Sequence, residues 1–158
     1  NGYNSALSRR CSGFDSPSDR HFIMNIITLS LLILSYSLVL GIIFAQVLLT
    51  APVVFKVLDN QNASIFLRKI FPRYYLLLTL LTLIALLVSY LFFELVDIYL
   101  ALTAVSFSFL GYIIIPLTNA ARDRGWDKVF KGLHNLSVFN TLIILLVSVT
   151  QIVRISFL

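Results

Sequence analysis

In the segment "PLTNAARD", Asn119, Arg122 and Asp123 stand at i, i+3 and i+4, so a single helical turn brings an amide beside a guanidinium and a carboxylate. The same loop continues into "FKGLHNLSVFN", which adds His134 and Asn140, and an earlier stretch, "TAPVVFKVLDNQNASIFLRKIFPRYY" from Thr50 to Tyr75, adds Lys56 and Arg73. Together these side chains can form a polar cap that pairs charges, donates hydrogen bonds and carries one imidazole. They lack the arrangements that catalysis usually needs. There is no Ser-His-Asp order, no pair of carboxylates in a cleft, no Cys-x-x-Cys and no Gly-rich phosphate loop, so the sequence offers no catalytic residue and no metal set. A protein that is not an enzyme and carries no cofactor is the expectation. Haem held by two histidines would need a ligand besides His134, and the other histidine, His21, lies in a polar leader. Cys11 is the single cysteine, which excludes a disulfide within the chain.

The elements that must position this cap are made of hydrocarbon. Of 158 residues 59% are hydrophobic and 12% charged, with a mean hydropathy of +0.94, and the apolar residues fall in long unbroken runs. Four runs can cross roughly 30 Å of hydrocarbon as helices: residues 26–49, 74–93, 98–117 and 138–158. Runs such as "YYLLLTLLTLIALLVSYLFF" do not alternate as the strands of a membrane barrel must. The expected fold is all-α, an integral membrane four-helix bundle over residues 24–158. Residues 1–23, polar and without helical period, read as a disordered or spurious leader before Met24, and the first span is too long for a cleaved secretory signal.

Charge sets the orientation. Lys56, Arg68, Lys69 and Arg73 lie between spans one and two, and Arg122, Arg124, Lys128 and Lys131 between spans three and four, whereas the hairpin between spans two and three holds Glu94 and Asp97 and no base. By the positive-inside rule both long loops are cytoplasmic, with the Met24 end and the C-terminus outside, and Arg154 snorkels to the outer headgroups. Each loop is expected to hold a short amphipathic interfacial helix: one capped by Asn62 and ended by Pro72, the other following Gly125. Their basic residues suit the anionic phospholipid of the bilayer, and the net charge of +5 describes a membrane face rather than a nucleic-acid surface. Asp123 is expected to pair across the loops, with Lys56 first and Arg73 second. Ser37, Gly41 and Ala45 on span one, and Ala104, Ser108 and Gly111 on span three, form small-residue stripes that make these two spans candidates for direct contact.

At "APVVFKVL", "RKIFPRYY", "PLTNAARD" and "FKGLHNLSVFN" the chain resembles the transmembrane-protein-205-like family, whose bacterial members form a domain of unknown function. The matching positions are Pro52, Phe55, Phe71, Pro72, Tyr75, Pro116, Asn119, Arg122, Asp123, Leu133, His134, Ser137 and Asn140. The resemblance implies a small four-span protein, here of a bacterial inner membrane, and brings no established reaction. Three functions fit the residues. One is a non-enzymatic scaffold, assembly or trafficking factor, working with a partner membrane protein or as a homo-oligomer. A second is an oligomeric transporter or channel subunit with a cytoplasmic vestibule built from Gln46, Lys56, Asn119, Arg122, Asp123, His134 and Asn140. The third is a haem- or metal-linked redox protein.

Overall fold

The computed structural model describes residues 17–157, with side chains from Ile26 onward. Helix α1 (Pro17–Phe44) runs through a π-helical stretch (Ala45–Thr50) into the short α2 (Ala51–Val57). Three long helices follow: α3 (Asn60–Phe92), α4 (Leu95–Asp123) and α5 (Asp127–Ile155). No strand occurs among the described residues. Cys11 and most of the polar leader lie outside them, but residues 17–23, read from composition as unstructured, form the first turns of α1.

Four helices are long and apolar enough to cross a membrane, Ile26–Val57, Asn60–Phe92, Leu95–Asp123 and Asp127–Ile155, and the protein is an all-helical membrane bundle. These helices are longer than the sequence runs because the expected interfacial helices do not stand alone. The segment through Phe71 and Pro72 is the first part of α3, and the segment after Trp126 is the first part of α5. The physical reason lies in the helix ends. Breaking α3 at Pro72 would create two new termini, each with unsatisfied backbone groups, whereas running through the proline forfeits a single N–H bond. Pro116 is likewise inside α4 rather than at its end. Asp59, with an extended backbone, takes the N-cap position of α3, and Asn62 sits inside the helix, donating from Nδ2 to Asp59 Oδ1 at 2.6 Å.

The turn between α4 and α5 is closed by Gly125, whose φ of 67° is the left-handed geometry glycine accepts without strain. Trp126 N–H donates to the Ala121 carbonyl (2.9 Å) and Gly125 N–H to that of Arg122 (3.1 Å), the paired bonds of a Schellman stop.

The helices are arranged as a ring. α1 packs on α3 and α5, and α4 packs on α3 and α5, so among the described residues α1 and α4 lie across the ring from each other without a close backbone approach. The close approach of spans one and three expected from their small-residue stripes is not made among these residues. Its two stripes have separate fates: Ala104, Ser108 and Gly111 are buried, while Ser37, Gly41 and Ala45 face outward, with open space where a Cβ on Gly41 would stand. A Cβ on Gly111 would fall 2.1 Å from the ring of Tyr75, so glycine is what lets that ring lie flat against α4. Tyr75 belongs to one core cluster with Val39, Ile43, Leu78, Ile115 and Ile144, and Leu32, Tyr36, Ala85, Val88, Ala104 and Ile155 form a second toward the α3–α4 hairpin. Leu, Val, Ile and Phe side chains cover the outside of the bundle, as contact with lipid requires.

The hairpin end is held by side-chain hydrogen bonds and ion pairs. Asp97 is completely buried and accepts hydrogen bonds from Gln151 Nε2 (2.7 Å), Arg154 Nε (2.9 Å) and the backbone N–H of Glu94 (3.2 Å). Arg154 also reaches Glu94 Oε2 at 2.8 Å. Instead of snorkelling alone, Arg154 ties α5 to the hairpin, because in an apolar setting two nearby carboxylates offer it more than distant headgroups can.

Candidate ligand-binding cavity

At the opposite, basic end the helices spread around a cavity of about 470 Å3. Each wall comes from one helical stripe. α3 contributes Ser64, Leu67, Arg68, Phe71, Tyr74 and Tyr75, spaced at three and four residues, which is possible only because α3 continues unbroken through Pro72. α4 adds Ile115, Thr118, Asn119 and Arg122, and α5 adds Phe130, His134, Ser137, Val138, Thr141, Leu142 and Leu145. α1, the π-helical stretch and α2 complete the wall with Ile43, Gln46, Val47, Ala51 and Phe55.

The floor is organised by Tyr75. Its hydroxyl lies 2.9 Å from the Ser137 carbonyl oxygen, 3.1 Å from Ser137 Oγ and 2.9 Å from Thr141 Oγ1, while its ring rests against Gly111. One side chain thus joins α3, α4 and α5 below the cavity. The side wall owes its shape to Pro52, which offers no N–H to the carbonyl one turn back. The preceding helix widens instead: Ala51 N–H donates to the Gln46 carbonyl five residues earlier. Within that widened stretch Gln46 is the sole buried residue, at 8% exposure, and its Nε2 has no hydrogen-bond partner among the described residues. Single-turn π segments of this kind recur at functional sites.

The rim is cationic and aromatic. Arg68 grips Asp123 with both terminal nitrogens, Nη1 to Oδ2 at 2.8 Å and Nη2 to Oδ1. Asp123 does pair across the two loops, but with Arg68 rather than Lys56 or Arg73. Arg122 makes no ion pair among the described residues; its guanidinium stands 5.8 Å over the ring of Phe130, which stacks on His134 with centroids 6.1 Å apart.

Of the polar residues singled out in the sequence, Gln46, Asn119, Arg122 and His134 meet at this cavity. Lys56 and Arg73 are exposed and outside its lining, and Asp123 faces Arg68. Asn140 is fully buried away from the lining, and neither side-chain atom has a hydrogen-bond partner among the described residues. Among the family-like positions Phe55, Phe71, Tyr75 and Ser137 line the cavity, whereas Pro52, Pro72, Pro116 and Leu133 do not. Arg68, Tyr74, Thr118 and Thr141 escaped sequence reasoning. The stripe spacing from Ser64 to Tyr75 would have exposed Arg68, had the helix not been divided at Pro72.

The model of the family described as Domain of unknown function (DUF4149) matches residues 34–127. The chain belongs to this family. No curated protein and no solved structure matches it. The DUF4149 match begins inside α1 and stops at the first residue of α5, so it contains Gln46, Arg68, Tyr75, Asn119 and Arg122 but leaves out the wall formed by His134, Ser137 and Thr141.

Proposed function

We propose that this DUF4149 protein is a non-enzymatic membrane protein that binds an amphipathic ligand in the cavity at its basic end. The observation that carries this reading is the buried Gln46 Nε2, without a hydrogen-bond partner among the described residues, on the wall of a mainly apolar cavity of about 470 Å3, within the size range of small-molecule sites. A scaffold, assembly or trafficking factor would need only its outer surfaces, and an unfilled donor inside the protein favours a guest. A transporter subunit is the same reading with movement added. No group of three His, Cys, Asp or Glu residues able to hold a metal ion occurs among the described residues. We further place the protein in a bacterial inner membrane, within the transmembrane-protein-205-like branch, with its basic end cytoplasmic and against anionic phospholipid.

Native mass spectrometry of protein released from lipid nanodiscs tests the binding reading. The wild type should retain one small-molecule adduct, and Val47→Trp, which fills the cavity from a half-exposed wall position, should lose it while keeping its helical circular dichroism. Equal adducts in both proteins, or none in either, would overturn the proposal.

A second reading has its own observation. The stripe Ser37, Gly41 and Ala45 faces outward with no partner helix among the described residues, which suits a second copy or another membrane helix. Gly41→Cys should form a disulfide-linked dimer in membranes under mild oxidation, and a monomer would remove this reading.

A further inference from the structure

We infer that the occupant of the cavity is an anionic amphiphile, one acidic head carrying at least two oxygens on a hydrocarbon chain. This rests on the ligand-binding reading and adds to it the chemical class. The first argument is charge. No acidic residue lines the cavity, and of its two arginines Arg68 is paired with Asp123, while Arg122 makes no ion pair among the described residues and stands over the Phe130 ring at the rim. An acid placed there gains a charge-assisted hydrogen bond, while a cationic head would face like charge.

The second argument is independent of the first. Gln46 Nε2 is a donor more than nine-tenths buried, and it needs a lone pair that no described residue supplies. Arg122 and this amide are both donors, and the oxygens of an acidic head are the acceptors that such donors call for. A purely apolar guest, such as the tail of a neighbouring lipid, would leave the amide as costly as it is in the empty cavity. The remaining wall, including Val47, Leu142 and Leu145, is apolar and suits a chain. Carboxylate and phosphate monoester heads share this chemistry, the first as a free fatty acid and the second as a lipid of the bilayer.

Matched single-chain amphiphiles decide the matter. The intact protein in nanodiscs of neutral phosphatidylcholine is titrated with palmitate, 1-palmitoyl lysophosphatidate, monopalmitoylglycerol and hexadecyltrimethylammonium, and bound adducts are counted by native mass spectrometry. The two anions should bind at least about tenfold more tightly than the neutral glyceride, the value of one charge-assisted contact, and the cation more weakly still. Whichever anion binds better names the source, fatty acid or phospholipid. Arg122→Gln, at an exposed position, should collapse the anion preference, read as the ratio of anion to monopalmitoylglycerol binding. Gln46→Leu should weaken all three oxygen-headed compounds. If neutral and anionic compounds bind alike, or Arg122→Gln leaves their ratio intact, the anionic class is wrong although ligand binding stands; if none of the four binds, the binding reading itself falls.

Discussion

The two ends of the bundle each join an arginine to an aspartate, and they use the pair in opposite ways. At the hairpin end Asp97 is wholly buried, its carboxylate filled by Gln151, Arg154 and a backbone amide. At the basic end Arg68 and Asp123 are one-third and about one-half exposed and stand over an open cavity. A buried pair loses its hydration to form and is costly to break, while an exposed one is screened and contributes little to stability. The difference separates a clasp, which holds α5 to the start of α4, from a rim that leaves its surroundings free to receive something.

Breaking the clasp should have the largest effect. Asp97→Ala leaves the Gln151 amide and the Arg154 guanidinium facing an apolar gap, and should destabilise the protein by about 3 kcal/mol, read as a lower melting temperature in detergent and reduced membrane abundance. Gly111→Ala comes next. Its Cβ would overlap the Tyr75 ring, so about 1–3 kcal/mol of overpacking is expected, together with loss of the ligand adduct as the floor shifts. Asp123→Asn should lower the melting temperature far less than Asp97→Ala does; an equal loss would erase the distinction between the two ends. His134→Ala should leave abundance and melting unchanged while weakening ligand retention, since His134 is exposed and its ring stacks on Phe130 of the same helix. The smallest expected signal is no signal. Asn62 and Asn135 head glycosylation sequons at the basic end, and in a eukaryotic secretory membrane both should remain unmodified in a mobility-shift assay if that end is cytoplasmic.

How legible the molecule was depended on the range of the signal. Four spans and an antiparallel hairpin at Glu94 to Asp97 follow from runs of apolar residues, a local property summed over twenty positions. Helix ends were harder. Pro72 and Pro116 look like boundaries in a sequence, yet each costs one hydrogen bond where a true boundary costs several, and the helices pass through. Small-residue stripes reveal that a close approach is possible but not which helix makes it, and the ring order of the bundle sent one stripe inward and the other out. For the cavity, Asn119, Arg122 and His134 stood out by type and spacing. Arg68 did not, because its partner lies 55 residues away and nothing local distinguishes it from Lys69. Arg154 was misread for the same reason: a lone base beside an acidic turn resembles a headgroup anchor until folding sets it against Asp97.

The widened turn at Ala45–Thr50 makes the site depend on spacing as much as on side-chain identity. One extra residue in a helical turn rotates everything beyond it by about 100°. Deleting any one residue between Ala45 and Ala51, even with Gln46 and Phe55 both kept, would swing α2 a quarter-turn or so and carry Phe55 off the wall it shares with Gln46. The stretch works as a phase shifter between a span that must follow the bundle and a segment that must follow the cavity. Length is therefore conserved information in this segment in the physical sense: a mutant can retain every lining residue and still lose the pocket by losing count.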